Sequence, residues 1–323
     1  MTNANEESFV PKVDPLYVKF GNHNDLKTII GSNRFYPAFI TGLSGNGKTF
    51  MVEQICAELN RELFRVNITI ETDEDDLLGG FRLVDGSTKW FEASVIKAMQ
   101  HGAILLLDEV DLASFKIMCL QPVLEGKGIF LKKINKFVEP KPGFNIIATA
   151  NTKGQGSDSG KFIGTNILNE AFLERFPETF EQEYPKDSVE RDILRKVFEL
   201  NDVEDDVYIE TLLTWANSVR KTYDTEAVSD IISTRRLVHI AHAYAMFRDR
   251  KKAIDVCISR FDETTKAAFK ELYNRYEAKP EEVKVETKKE VKKDKKVPEA
   301  TGLDFNAILG TNINPADILD KVK

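Results

Sequence analysis

The apolar positions of this chain change rhythm along its length. Between about residues 13 and 185, short continuous apolar runs alternate with Gly-rich turns and segments of helical period. That is the pattern of an α/β domain with a mainly parallel sheet. Segments 36–41, 63–67, 103–108 and 145–150 are predicted strands, and 50–60 and 91–100 are predicted helices between them. From 186 to 278 the period is helical throughout; 189–199, 208–223, 234–248 and 251–276 predict a small all-helical domain. Residues 1–12 are polar and expected to be flexible. Segment 279–300 is nearly all Lys, Glu and Val with a proline near each end, which forms no core and reads as a solvated charged linker. In 301–323 the apolar residues Phe305, Ile308, Leu309, Ile313, Ile318 and Leu319 return. They form either an unstructured tail or a tethered peptide whose linker raises its local concentration near a partner or neighbouring subunit.

Composition adds limits. A hydrophobic share of 42% and a charged share of 30% over 323 residues are those of a soluble globular protein. The run from Ala103 to Leu107 is far too short to cross a bilayer. No basic stretch leads into an apolar one near the N-terminus, so no secretory signal is expected and the expected location is cytoplasmic. Cys56, Cys119 and Cys257 are odd in number and widely spaced, which predicts packed, reduced thiols rather than disulfides or a zinc site. A net charge of −7 gives no general attraction to nucleic acid.

Chemistry enters at Gly42-Leu43-Ser44-Gly45-Asn46-Gly47-Lys48-Thr49, which fits G-x-x-x-x-G-K-[ST] between a predicted strand and a helix that begins at Phe50. Gly45 and Gly47 allow backbone N–H groups to turn inward around phosphates, and the helix N-terminus adds a positive dipole end. Lys48 is expected to reach the β- and γ-phosphates of ATP, and the Thr49 hydroxyl to ligate Mg²⁺. The strand ending in Asp108-Glu109 lies 60 residues after Lys48. Asp108 is expected beside the loop as a Mg²⁺ holder, and Glu109 as the base that orients and deprotonates the attacking water. Asn151, at the end of another apolar strand, suits an amide that holds that water, or else a turn former. Arg175 suits stabilisation of transition-state charge from a neighbouring subunit, or a surface salt bridge. Arg235 begins a predicted helix and suits sensing of the γ-phosphate, with Arg236 as its rival.

In this order, the loop, the Asp-Glu strand, the strand-end Asn, Leu173-Glu-Arg-Phe176 and Ser233-Thr-Arg235 resemble AAA+ ATPases of the MoxR-type branch. Within that branch the chain is most similar to the CobS family, the ATPase subunits of aerobic cobaltochelatase. The closer likeness rests on Val10-Pro-Lys-Val-Asp-Pro-Leu-Tyr-Val18, Arg65-Val-Asn67, Asp76-Leu-Leu-Gly79, Ala148 to Gly156 and Gly164 to Asn169, and it covers about residues 9–275. The resemblance implies that Asn151 is sensor 1, Arg175 an arginine finger acting in trans and Arg235 the sensor 2 arginine. Thr234 stands where the family has the Pro of Ser-Pro-Arg, and Glu174 where Asp often precedes the finger. It also implies a hairpin insert over 77–91, with Gly79, Gly80 and Gly86 at its turns. The implied assembly is a homo-oligomeric hexameric ring with ATP at subunit boundaries, acting with a von Willebrand factor A-domain partner on a larger client.

The expected function is therefore an ATP-hydrolysing ring subunit that remodels a partner, with cobalt insertion into a corrin ring as the downstream event in the CobS case. His23 and His101 are isolated in sequence, and His239 with His242 lacks further ligands, so chelation is assigned to another subunit. A nucleic-acid motor is the rival reading, disfavoured because the chain shows no helix-turn-helix or basic recognition segment. A non-catalytic scaffold is disfavoured by Asp108, Glu109 and Arg175 all being present.

Overall fold

The computed structural model describes residues 8–154, 156, 165–225 and 228–278. The linker and tail expectations for 279–323 lie outside the described residues, as does Gly164. Along the chain come α1 (His23–Gly31), β1 (Ala38–Thr41), α2 (Lys48–Glu58), β2 (Leu63–Asn67) and α3 (Glu74–Leu77). The hairpin β3 (Gly79–Val84) and β4 (Ser87–Glu92), α4 (Ser94–His101), β5 (Ile104–Asp108) and α5 (Gln121–Leu124) follow. Then come a second hairpin, β6 (Ile129–Leu131) and β7 (Lys136–Val138), and β8 (Asn145–Ala150), α6 (Glu170–Leu173) and β9 (Glu178–Glu181). The remaining elements are helices: α7 (Asp187–Glu199), α8 (Asp206–Asp224), α9 (Thr234–Phe247), α10 (Arg250–Ile258) and α11 (Glu263–Glu277).

Five strands form one sheet in the order β2-β5-β8-β1-β9, with every pairing parallel. Parallel strands need covered faces, which explains the unbroken apolar runs. Alternate residues of those runs serve opposite faces. Ala38, Ile40, Ile104, Leu106 and Ile147 pack under α1 and α2 with Leu26, Met51 and Ile55. Phe39, Leu105, Leu107, Ile146 and Ala148 pack on the other face with Val95, Met99, Phe172 and Phe176. The all-helical region has its own core, built around Trp215, Tyr208, Leu212, Leu237 and Phe269. No helix among the described residues is long and apolar enough to cross a membrane.

Four expectations need correction. Residues 8–12 are held rather than loose: Phe9 packs on Phe64 with centroids 4.5 Å apart and rings tilted by 35°, and its carbonyl accepts from Leu63 N at 3.0 Å. The helix expected from Phe91 starts at Ser94, because Phe91 pairs with Gly80 in the first hairpin. That hairpin turns at Asp85 and Gly86, whereas Gly79 and Gly80 lie within its first strand. The helix expected over 251–276 is two helices, broken where Asp262 takes an N-cap and accepts from Thr264 N and Thr265 N at 2.9 and 3.0 Å. All three cysteines are free thiols; Cys56 is buried, and burial pushes it up to about 12.

Candidate functional site

The phosphate loop leaves β1 and enters α2, whose first turn carries no side-chain cap, so its N–H groups remain available to an anion. Gly45 and Gly47 have φ of 76° and 90°, a region that side chains disfavour. At Gly45 a Cβ would also stand 2.7 Å from Ser233 Oγ, so the missing side chain lets the start of α9 approach the loop. Arg235 N donates to Gly45 O at 3.2 Å across that approach.

Lys48 is 7% exposed, and its ammonium donates to Gly42 O at 2.5 Å, Leu43 O at 3.1 Å and Asn151 Oδ1 at 3.3 Å. Burial lowers its pKa from 10.5 to about 8; Asp111 and Asp108 push it back up, and Arg235 pushes it down further. An unfolded chain keeps this proton between pH 8 and 10.5 while the folded chain releases it, so folding stability rises with pH across that window. Below pH 8 the buried charge costs about 3 kcal/mol, a cost that phosphate oxygens beside the ammonium would offset. Nucleotide binding is therefore expected to take up roughly one proton at pH 9 and almost none at pH 7. Calorimetry in buffers of different ionisation heat measures this, and a binding heat independent of buffer at pH 9 would contradict it.

The acidic half of the site stands two strands away, because β8 lies between β1 and β5. Asp108 Oδ1 accepts from Thr49 Oγ1 at 2.7 Å and from Thr149 Oγ1, while Oδ2 accepts from Arg65 Nη2 at 2.5 Å. A hydroxyl and a carboxylate side by side are the hard oxygen donors that Mg²⁺ prefers, so Thr49 and Asp108 fit that ion. Glu109 follows in the left-handed region, at φ 60° and ψ 46°, a conformation that costs a non-glycine residue about 1–3 kcal/mol. Its N–H donates to Thr149 Oγ1 at 3.2 Å, which holds the turn, and its exposed carboxylate lines the cavity described next.

These residues share a cavity of about 300 Å³. Ser44 to Phe50, Asp108, Glu109, Asn151 and Arg235 line it, so residues expected at one site from four separate segments do converge. Gly42 and Leu43 do not line it; they offer their carbonyls to Lys48. Asn46 lines the cavity but turns its amide to the Gln182 carbonyl, which ties the loop to the segment after β9. Between the two candidate arginines, Arg235 reaches the cavity, while Arg236 donates to Cys257 O at 3.0 Å.

Arg175 stands outside the cavity. Phe172 and Phe176 are buried on either side of it, and its guanidinium bonds Glu125 Oε1 at 2.7 and 3.0 Å. His23, isolated in sequence, is not isolated in space: Tyr17 Oη lies 2.8 Å from its Nδ1 and Glu58 3.4 Å from its Nε2. His239 and His242 are exposed on α9, and among the described residues no three or more His, Cys, Asp or Glu side chains gather as a metal cluster.

Several parts of the site escaped the sequence reading. Asp111 is fully buried and accepts from Asn151 N at 2.9 Å and Thr152 N at 3.0 Å, so it fixes the backbone that carries the Asn151 amide. Its position three residues after Asp108 was the available cue. Thr149 and Arg65 orient Asp108 from neighbouring strands, a role that the family-like stretches containing them did not reveal. The apolar wall of Leu16, Tyr17, Val18, Ile193 and Val238 comes from the N-terminal segment and two distant helices. Its size and character suit a flat heterocycle.

Comparison with known proteins adds the relatives. Residues 37–176 match the model of the AAA domain (dynein-related subfamily), and residues 191–276 match that of the CbbQ/NirQ/NorQ C-terminal region. The aerobic cobaltochelatase subunit CobS of a Sinorhizobium species is 28% identical over 277 residues, covering 83% of each chain. An uncharacterized protein of Staphylococcus saprophyticus is 27% identical over 230 residues, covering 68% of this chain and 81% of that one. The RuvB Holliday junction branch migration motor of Thermotoga maritima superposes with a TM-score of 0.50 at 14% identity, covering 80% of this chain and 77% of that one, a likeness of fold alone.

Proposed function

We propose that this chain, which belongs to the AAA+ ATPases of the MoxR and CobS type, hydrolyses ATP as one subunit of a ring and uses the cycle to remodel a partner protein. The observation that carries this reading is the meeting of Lys48, Thr49, Asp108, Glu109 and Asn151 on one cavity. In it Lys48 and the loop N–H groups take the β- and γ-phosphates, and the base lies against Leu16, Tyr17, Val18, Ile193 and Val238. Thr49 and Asp108 would hold Mg²⁺, which when bound neutralises phosphate charge. Glu109 takes a proton from the attacking water, Asn151 orients that water, and Arg235 contacts the γ-phosphate from the lid.

Among the described residues the cations that line the cavity are Lys48 and Arg235, and phosphoryl transfer commonly uses a further one supplied from a neighbouring molecule. Arg175 is proposed to supply it to the neighbouring subunit, which makes turnover depend on assembly. A hexameric ring, a von Willebrand factor A-domain partner and a larger client follow from the resemblance rather than from geometry. The likeness to CobS along most of both chains supports a client of the cobaltochelatase kind, with cobalt insertion carried out elsewhere in the complex.

The test is phosphate release by the purified full chain with Mg-ATP, alone, with a von Willebrand factor A-domain chelatase subunit, and with duplex DNA. Turnover raised by the protein and unchanged by DNA is expected. Stimulation by DNA alone would replace this reading with that of a nucleic-acid motor.

A further inference from the structure

The steps above leave a buried ionic network without a task. Glu190 of α7 is fully buried, and a buried carboxylate is costly unless it is paired. Arg220 of α8 meets it with two bonds, Nη1 to Oε2 at 2.8 Å and Nη2 to Oε1 at 2.7 Å. The third guanidinium nitrogen, Nε, donates to Ile232 O at 3.0 Å. Thr234 Oγ1 donates to Glu190 Oε1 at 2.5 Å. Both members of the pair therefore hold residues 232–234, the short stretch that delivers Arg235 to the cavity.

The other side of the network reaches the phosphate loop. The Arg220 guanidinium lies over the Tyr184 ring, 4.4 Å from its centroid, and the Tyr184 hydroxyl donates to Ser44 O at 2.8 Å. Arg235 N bonds the next carbonyl, Gly45 O, directly. Two successive loop carbonyls are thus tied to the first turn of α9, one by its backbone and one through Tyr184, Arg220, Glu190 and Thr234. A buried ion pair is a weak source of stability compared with an apolar contact of the same volume, but its bonds are directional. Here the pair's two mutual bonds lock it together, and its remaining bonds reach the entry to α9.

We propose that Tyr184, Arg220, Glu190 and Thr234 are positioning residues that set Arg235 against the phosphate loop and carry a shift of the Ser44–Gly45 peptide to it. The inference rests on the ATPase reading, since Arg235 is the group through which the network acts. Tyr184→Phe keeps the ring over Arg220 and removes only the donor to Ser44 O. Thr234→Val keeps the branched shape and removes the hydroxyl. Both are made in the full chain, alone and together with Arg235→Ala, and kcat, KM for ATP, ADP affinity and Tm are measured.

Each single substitution is expected to lower kcat roughly five- to tenfold, the worth of one well-placed hydrogen bond, while ADP affinity stays near wild type. Thr234→Ser should recover most of the rate lost in Thr234→Val. In the Arg235→Ala background neither substitution should lower kcat further. Losses that add in full to that of Arg235→Ala, or a lowered Tm with kcat unchanged, would overturn the inference and leave the ATPase reading standing. A wild-type chain that binds neither ATP nor ADP would overturn both.

Discussion

Glu109→Gln is expected to lower ATP turnover by about 10²–10⁴-fold while ATP binding stays near wild type. The amide keeps the size and reach of the carboxylate and loses the ability to take a proton. The groups proposed to meet the phosphates, Lys48 and the start of α2, are untouched by the change. The backbone supports the assignment: Glu109 is the cavity residue held in a left-handed conformation without being glycine, and Thr149 holds it there by a bond to its N–H. A strained residue kept at a cavity is one whose direction matters. Phosphate release and ATP affinity measured on the same preparation separate the two effects. Loss of ATP affinity in parallel with turnover would make Glu109 a nucleotide contact rather than a base, and unchanged turnover would place the base elsewhere.

The strands that carry this site were legible because each is a short, mainly apolar run bounded by turn or motif residues. Segments 63–67 and 145–150 coincide with β2 and β8, and 36–41 and 103–108 differ from β1 and β5 only at their starts. The edge strand β9 was not legible, since Glu178-Thr-Phe-Glu181 is polar, short and paired on one side alone. Strand order was not legible either. Asp108 was expected beside the loop, but nothing in the sequence showed that β8 lies between their strands, which is why Thr149 bonds Asp108 and Asn151 bonds Lys48.

Motif residues could be read because the phosphate chemistry dictates their type and spacing. Asp111, Arg65 and Thr149 act on those residues instead of on a ligand, so their positions follow from the fold. The choice between Arg235 and Arg236 became a matter of helical rotation. Successive residues point about 100° apart around a helix, so one enters the cavity and the other turns toward α10. The break between α10 and α11 did leave a signal, Asp262 followed by two threonines, which the continuing apolar period obscured.

Arg175→Ala is expected to have an effect as large, about 10³–10⁵-fold on turnover, the range found for arginines that meet the transferring phosphoryl group. Nothing in its own chain's cavity needs Arg175. Its neighbours Phe172 and Phe176 anchor the segment in the sheet core, with Phe176 5.7 Å from the Phe39 ring, while its own half-buried guanidinium bonds Glu125 and the Ala171 carbonyl outside the cavity. Its bond to Glu125 is a surface pair, worth about 0–1 kcal/mol, and gives way at little cost when a neighbouring site offers a phosphate. ATP affinity of the isolated variant should change little, because the residues that bind nucleotide belong to the same chain as the loop.

These two substitutions together test the central claim, that each working site is shared between two subunits. Chains carrying Glu109→Gln and chains carrying Arg175→Ala are co-expressed, purified as one assembly and assayed for phosphate release beside each variant alone. The variants are expected to be inactive separately and active together, because an Arg175→Ala subunit still offers Glu109 to a boundary where its neighbour still offers Arg175. About a quarter of the boundaries in a randomly mixed ring have that composition, so turnover near a quarter of wild type is the expected result, on the statistics of independent subunit choice in a closed ring. Turnover that stays at the level of the single variants in a mixed assembly, or an Arg175→Ala chain as active as wild type, would contradict it.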